Sequence, residues 1–94
     1  MKLVDGRKTV TAAGTAVQLA ASVPIQSVTI TALSTNTNVV TVGSTTVVGA
    51  AATRRGVGLA AGVSTTIHTD DLQDIWVDAV TNGEGVSFLA VAEE

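Results

Sequence analysis

The 94-residue chain contains no cysteine, so neither a disulfide nor a thiolate metal site can reinforce its fold. It has one Trp, one Phe and no Tyr, which leaves few large side chains to fill a core. A chain of this length buries only about two thirds of the surface that its unfolded form exposes. Oligomerisation is the remaining common source of extra buried area.

Charge is also scarce. Charged residues make up 14% of the chain, and the net charge is -3. The few Lys and Arg residues are too scattered for the basic patch that phosphate binding needs, so we expect no nucleic-acid partner. No apolar run approaches the roughly 20 residues of a membrane helix, and no apolar signal segment follows Met1. We therefore expect no membrane association and no cleaved export signal.

Short segments rich in Val and Thr are abundant, and many alternate apolar with polar residues. The clearest is 27–32, where Val28 and Ile30 alternate with Ser and Thr. Seven or eight such segments, with none of helical length, predict an all-β fold: a small β-sandwich or barrel of short antiparallel strands. We expect residues 1–8 to be an N-terminal arm or a frayed terminus, and residues 9–94 to form a single β domain.

Two hairpins are predicted. Residues 75–80 and 86–91 flank a glycine-containing turn, and residues 39–42 and 45–48 flank Gly43-Ser44. In the first hairpin, period-two alternation places Trp76 and Asp78 on the face opposite the core. The core is predicted from alternation and bulk, and consists mostly of Val28, Ile30, Val40, Val42, Leu59, Ile67, Leu72, Ile75, Val77, Val86 and Phe88.

No constellation predicts catalysis or a cofactor. The glycines of 56–62 resemble a dinucleotide-binding motif, but the spacing differs by one residue and a strand follows where a helix is required. His68 stands alone, with no nucleophile elbow. The carboxylates match no calcium loop, and we interpret them as a solvated acidic rim: Asp70, Asp71, Asp74, Asp78 and Glu84. We expect no enzymatic activity, metal or cofactor.

A series of motifs resembles small tailed-phage virion structural proteins of the capsid decoration or cement type. In chain order they are GTAVQL (14–19), SVTITAL (27–33), VTVG (40–43), LAAG (59–62), DDL (70–72), IWVDA (75–79) and GEGVS (83–87). The similarity covers nearly the whole chain after Val10. Ala61 departs from it, because a proline is more usual before the glycine, and the connection around Arg54-Arg55 is longer.

The resemblance implies a decoration protein that stabilises a phage head by binding the major capsid shell, located in virions assembled in the host cytoplasm. It also implies a homo-oligomer, with a trimer favoured. Alternatives are another head or tail component, such as a fibre base or adaptor, or a carbohydrate-binding module with Trp76 as its stacking platform. The expected contact residues are outward-facing side chains and loop or arm cations: Trp76, Asp78, Val80, Leu89, Arg54, Arg55, Arg7 and Lys8. For Trp76, partial burial against the chain's own loops is the alternative.

Overall fold

The computed structural model describes residues 2–92. These residues form two antiparallel four-stranded sheets that pack face to face in a β-sandwich-like arrangement, which confirms the predicted all-β class. The strands are β1 (Lys2–Thr9), β2 (Val17–Gln18), β3 (Ile25–Ala32), β4 (Val40–Gly43), β5 (Val57–Leu59), β6 (Ser64–Ile67), β7 (Trp76–Ala79) and β8 (Gly85–Ala92). Two 3₁₀ turns cover Ala51–Thr53 and Leu72–Asp74. Among residues 2–92, no helix is long and apolar enough to cross a membrane.

Sheet A has the strand order β1-β8-β3-β6, and sheet B has the order β2-β7-β4-β5. Alternate residues of each strand point between the sheets and form one core. Every residue of the predicted core belongs to it, although Ile67 is only partly buried. The core also includes residues that lie outside the strong alternation, such as Val10, Leu19 and Ile25.

Residues 2–8 are not an arm or a frayed end. They form most of β1, which pairs with β8 along its whole length, from Lys2 opposite Ala92 to Thr9 opposite Gly85. Gly6 explains part of this order, because the Phe88 ring lies where a Gly6 side chain would be, with Cζ 2.6 Å from that position. An aromatic ring that covers a strand glycine in this way fixes both strands. Met1 lies outside the described residues.

Both predicted hairpins are wrong in their pairing. β7 and β8 lie in different sheets, so residues 80–84 cross from sheet B to sheet A instead of returning along the same sheet. Residues 44–47 turn away from β4, and Val48 forms an isolated bridge with Arg55 while β5 pairs with β4. The sequence pattern identified β4, β7 and β8, but the predicted strand 45–48 is a turn followed by the Val48 bridge, and partners from distant parts of the chain decided the pairing.

Side chains secure the connection 80–84. The buried Asn36 amide donates to the Gly85 carbonyl at 2.9 Å and accepts from the Gly85 N–H at 3.3 Å, which imitates a strand partner. Glu84 accepts hydrogen bonds from the Thr37 N–H, the Thr37 hydroxyl and the Asn38 N–H. The bond from the Thr37 amide, helped by the other two, lowers the pKa of Glu84 below its ordinary value despite the opposing effect of burial.

The opposite end of the sandwich is secured by Asp71. Its carboxylate accepts from the Gln73 N–H at 3.0 Å, from the Ser22 hydroxyl at 2.7 Å and from the Val23 N–H at 3.0 Å. The Gln73 bond is the main cause that lowers the pKa of Asp71. One carboxylate thus caps the 3₁₀ turn Leu72–Asp74 and holds the chain before β3 against it.

Candidate interaction surface

The outer face of sheet B is covered by the chain's own residues 44–56, which we call the covering segment. A Cβ on Gly49 would lie 3.1 Å from the Ala79 nitrogen, and one on Gly56 would clash with the backbone carbonyl oxygen of Val42. The covering segment therefore approaches β7 and β4 at backbone distance, which glycine permits. Thr41 is fully buried beneath it, and its hydroxyl has no hydrogen-bond partner among the described residues.

Asp78 lies beneath this cover, with only 2% of its surface exposed. Its carboxylate accepts from the Gly49 N–H at 2.8 Å, the Gly14 N–H at 3.1 Å and its neighbour Ala79 N–H at 2.9 Å. The prediction that Asp78 contacts a partner is corrected here, because its oxygens are buried and bonded to three amides within the chain. The predicted solvated rim is also wrong for Asp78 and Glu84, both of which are buried.

Two further predicted contacts lie on this side of the sandwich. The Trp76 side chain is half-buried on the outer face of sheet B, in register with Gln18 and Gly43. Arg54 is exposed, but its guanidinium donates to the Gly49 carbonyl at 3.3 Å and its stem passes close to Gly58. Arg54 therefore helps to hold the covering segment on the sheet.

A cleft of about 440 Å³ opens beside the covering segment. Ala, Gly and Val residues line most of it, including Val80, whose side chain is 43% exposed. Its charged member, Asp78, already accepts three hydrogen bonds. Ligand sites combine apolar walls with free, convergent polar groups, and this cleft has only the walls.

The outer face of sheet A has no such cover, and we call it the open face. Strand register arranges its side chains in three rows across the strands. The first row is Leu3, Val91 and Ser27; the second is Asp5, Leu89, Thr29 and Thr66; the third is Arg7, Ser87, Thr31 and Ser64. Leu3 is 63% exposed and Leu89 is 49% exposed, although both lie in regular strands.

Apolar and hydroxyl side chains dominate the open face, and its charged members, Asp5 and Arg7, both lie on β1. The predicted contacts Leu89 and Arg7 therefore share this face. Lys8 has the opposite parity and is half-buried on the inner side of β1. The predicted set thus divides into two groups: Leu89 and Arg7 lie on sheet A, whereas Trp76, Val80, Arg54 and Arg55 lie around sheet B and its covering segment.

Sequence reasoning missed Leu3, because residues 1–8 were expected to be an arm. The available signal was the alternation of Leu3, Asp5 and Arg7 with Val4 and Gly6, which period-two patterning associates with a strand.

The other sequence candidates do not assemble into a site. His68 is exposed just after β6, and the glycines of 56–62 belong to β5 and the turn that follows it. Within residues 2–92, no three His, Asp or Glu side chains gather closely enough to hold a metal ion.

No protein-family model matches the chain, and no curated protein or solved structure matches it.

Proposed function

We propose that the chain is a structural protein that uses its open face to bind a larger protein assembly, and specifically that it is a decoration protein on the head of a tailed phage. The observation that carries the proposal is the exposure of Leu3 and Leu89 on a regular sheet face whose charged members, Asp5 and Arg7, both lie on β1. Exposed apolar groups that form a continuous surface are typical of protein contacts. The motif resemblance to virion proteins supplies the identity of the assembly.

The hydroxyl groups of the open face suit burial against a partner. The Thr29 and Thr66 hydroxyls are 3.1 Å apart, and those of Thr31 and Ser64 are 2.7 Å apart, so each pair shares a hydrogen bond. Removing polar groups from water costs less free energy when they are already hydrogen-bonded to each other than when they are unpaired. The cost of desolvating these hydroxyl pairs is therefore low, and the apolar residues of the face supply the favourable term.

The partner in this proposal is the major shell protein of the phage head, and the location is the virion. The resemblance favours a trimer for the decoration protein. Among residues 2–92, the long free edge of β1 instead favours a two-fold contact. The two arrangements differ in mass and are separated by sedimentation.

The proposal is tested on virus particles purified from the source of the chain. Quantitative mass spectrometry should find the protein at a fixed ratio to the shell protein, since decoration follows the symmetry of the shell. Absence of the protein from purified particles would contradict the proposal.

Rebinding to stripped particles then tests the surface. Leu89→Asp should weaken binding by about tenfold or more, because it places a charge in the centre of the open face. Val57→Asp is the matched control, because Val57 is also 49% exposed but lies in sheet B. If both variants rebind like the wild type, the open face is not the contact.

A further inference from the structure

The outer edge of β1 is the longest unpaired strand edge in the described residues. β1 ends sheet A and contains 8 residues, whereas the other edge strands, β6, β2 and β5, contain 4, 2 and 3. A free edge presents unpaired N–H and C=O groups that can pair with another strand. A long edge presents more of them, so β1 is the strongest candidate for strand addition.

The direction of the backbone groups on β1 follows from its neighbours. Val10 donates its N–H to the Glu84 carbonyl at 2.8 Å and accepts at its carbonyl from the Gly83 N–H at 2.7 Å. In an antiparallel pair, alternate residues direct both backbone groups to the same neighbour. The even residues of β1 therefore bond to β8, and the odd residues direct their N–H and C=O groups to the open edge: Leu3, Asp5, Arg7 and Thr9.

Two of the devices that protect natural edge strands are missing from β1. The strand contains no proline, and its register with β8 is continuous, without a bulge. Charged side chains are present: Lys2 and Lys8 belong to the inner side of the strand. Asp5 and Arg7, which have opposite signs, occupy the outer face. Charges of one sign would repel any second copy, whereas this arrangement favours one register over the others.

We propose that the chain dimerises by antiparallel pairing of β1 with β1 of a second copy, in the register that places Gly6 opposite Gly6. In this register Asp5 lies opposite Arg7 of the second copy, twice, because the contact is two-fold symmetric. A neighbouring register that places Asp5 opposite Asp5 also places Lys2 opposite Lys8. The neighbouring register in the other direction places Arg7 opposite Arg7. Like charges directly opposite each other destabilise a strand pair, and opposite charges stabilise it.

Gly6 suits the position on the symmetry axis. Its backbone groups bond to β8, so the two Gly6 residues form the closer type of antiparallel pair, with Cα atoms about 4.5 Å apart. No side chains crowd this approach, and the Phe88 ring of each copy already covers its own Gly6 on the inner side. On either side of the axis, the odd residues exchange backbone hydrogen bonds.

The dimer joins the two A sheets into one continuous sheet and places the two open faces side by side. A two-fold contact of this kind uses the same edge of both copies and therefore closes at two subunits. It does not build a trimer through β1. The inference concerns the isolated protein and does not depend on the proposed binding to a phage head.

Charge reversal tests the register on the isolated protein. In sedimentation equilibrium, the wild type should have the mass of a dimer. Asp5→Arg and Arg7→Asp should each raise the dissociation constant about a hundredfold or more, because each turns both attractive pairs into repulsive ones. An equimolar mixture of these two variants should regain dimers, since every opposed pair is then oppositely charged, and so should the double variant D5R/R7D. Circular dichroism of each variant confirms that it is folded.

Cross-linking provides a second readout, and the chain has no cysteine of its own to interfere. Under oxidising conditions, a mixture of Asp5→Cys and Arg7→Cys chains should form a mixed disulfide faster than either variant alone forms its own. A monomeric or trimeric wild type, dimers that survive both charge reversals, or faster self-linking of one variant would each overturn the proposal. If strand β1 instead pairs with another protein, the isolated wild type sediments as a monomer.

Discussion

Sheets A and B are built from similar Val- and Thr-rich segments, yet their outer faces differ. Sheet A has three strands of 8 residues, and the side chains of its outer rows are exposed or partly exposed. Sheet B has strands of 2 to 4 residues, and its outer residues Thr41 and Asp78 are buried. Alternation predicts which side chains of a strand point away from the core. It does not predict whether another part of the chain covers them.

The covering segment is the physical cause of the difference. Its glycines permit contact at backbone distance with β4 and β7, and Asp78 accepts the Gly49 amide that this contact buries. Sheet A has no corresponding segment among the described residues. A short turn follows β3, and β8 lies between β1 and β3 within the sheet. The open face is therefore the larger regular surface that the fold leaves for a partner.

The largest expected effect on stability comes from substitution of Phe88, which packs in the core under sheet A. Phe88→Ala removes the ring that packs in the core and covers Gly6, so it should lower the free energy of unfolding by about 3 to 5 kcal/mol. Urea unfolding followed by Trp76 fluorescence measures the change. Leu89→Ala, one residue further on the exposed face, should cost far less. Equal losses would show that the two faces of β8 are not distinct.

The cover of sheet B is tested by Asp78→Asn. The substitution keeps one acceptor oxygen but places an NH₂ group against a backbone N–H that donates to the carboxylate in the wild type. It should therefore lower the free energy of unfolding by about 2 kcal/mol. Hydrogen exchange at Gly49 should accelerate more than exchange in β8, because the damage is local to the cover. Asp74→Asn, an exposed position, is the control. Uniform acceleration throughout the protein would contradict a local role.

Most of the core and several strand segments, such as β3, β4, β7 and β8, were predictable because they depend on local alternation and bulk. Val28, Ile30, Val77 and Val86 are buried as alternation requires. Strand pairing was not predictable in the same way: a glycine-rich turn after Val80 predicts a hairpin, whereas bonds from residues such as Thr37 and Asn36 hold the chain against the other sheet. Those contacts join residues more than forty positions apart.

The same limit applies to the candidate surface. The exposure of Leu89 follows from its position between the buried residues Phe88 and Ala90. The burial of Asp78 has no local signal, because its partners Gly14 and Gly49 lie far away in the sequence. Leu3 was hidden from sequence reasoning by the charges near it, which resemble those of a mobile terminus although they belong to a regular edge strand.

Acidification should weaken the end of the sandwich at which the two sheets are connected. Because folding lowers the pKa of Glu84, the unfolded chain binds more protons than the folded protein over the range between the two pKa values. The stabilisation by Glu84 is therefore complete above the ordinary glutamate pKa of about 4.3 and is lost as the pH falls through the folded value. Glu84→Gln should lower stability at neutral pH, and its difference from the wild type should shrink on acidification. A difference in unfolding free energy between the two proteins that stays constant from pH 7 to pH 3 would contradict this. The pH dependence of stability that remains in the variant includes the contribution of Asp71, whose pKa is also lowered.

The smallest expected effect compares one threonine from each outer face. The Thr41 hydroxyl is buried and has no partner among residues 2–92, whereas the Thr29 hydroxyl is exposed and shares a hydrogen bond with Thr66. Thr41→Val keeps the side-chain shape and removes an unsatisfied buried group, so it should raise the free energy of unfolding by about 1 kcal/mol. Thr29→Val should change it by less than about 0.5 kcal/mol, as is usual for exposed positions. Chemical denaturation of both variants under the same conditions measures the two changes in the free energy of unfolding. A destabilised Thr41→Val protein would mean that the hydroxyl is satisfied beneath the covering segment, by a water molecule or by a small movement of the cover, and the two outer faces would then differ in exposure but not in hydrogen bonding.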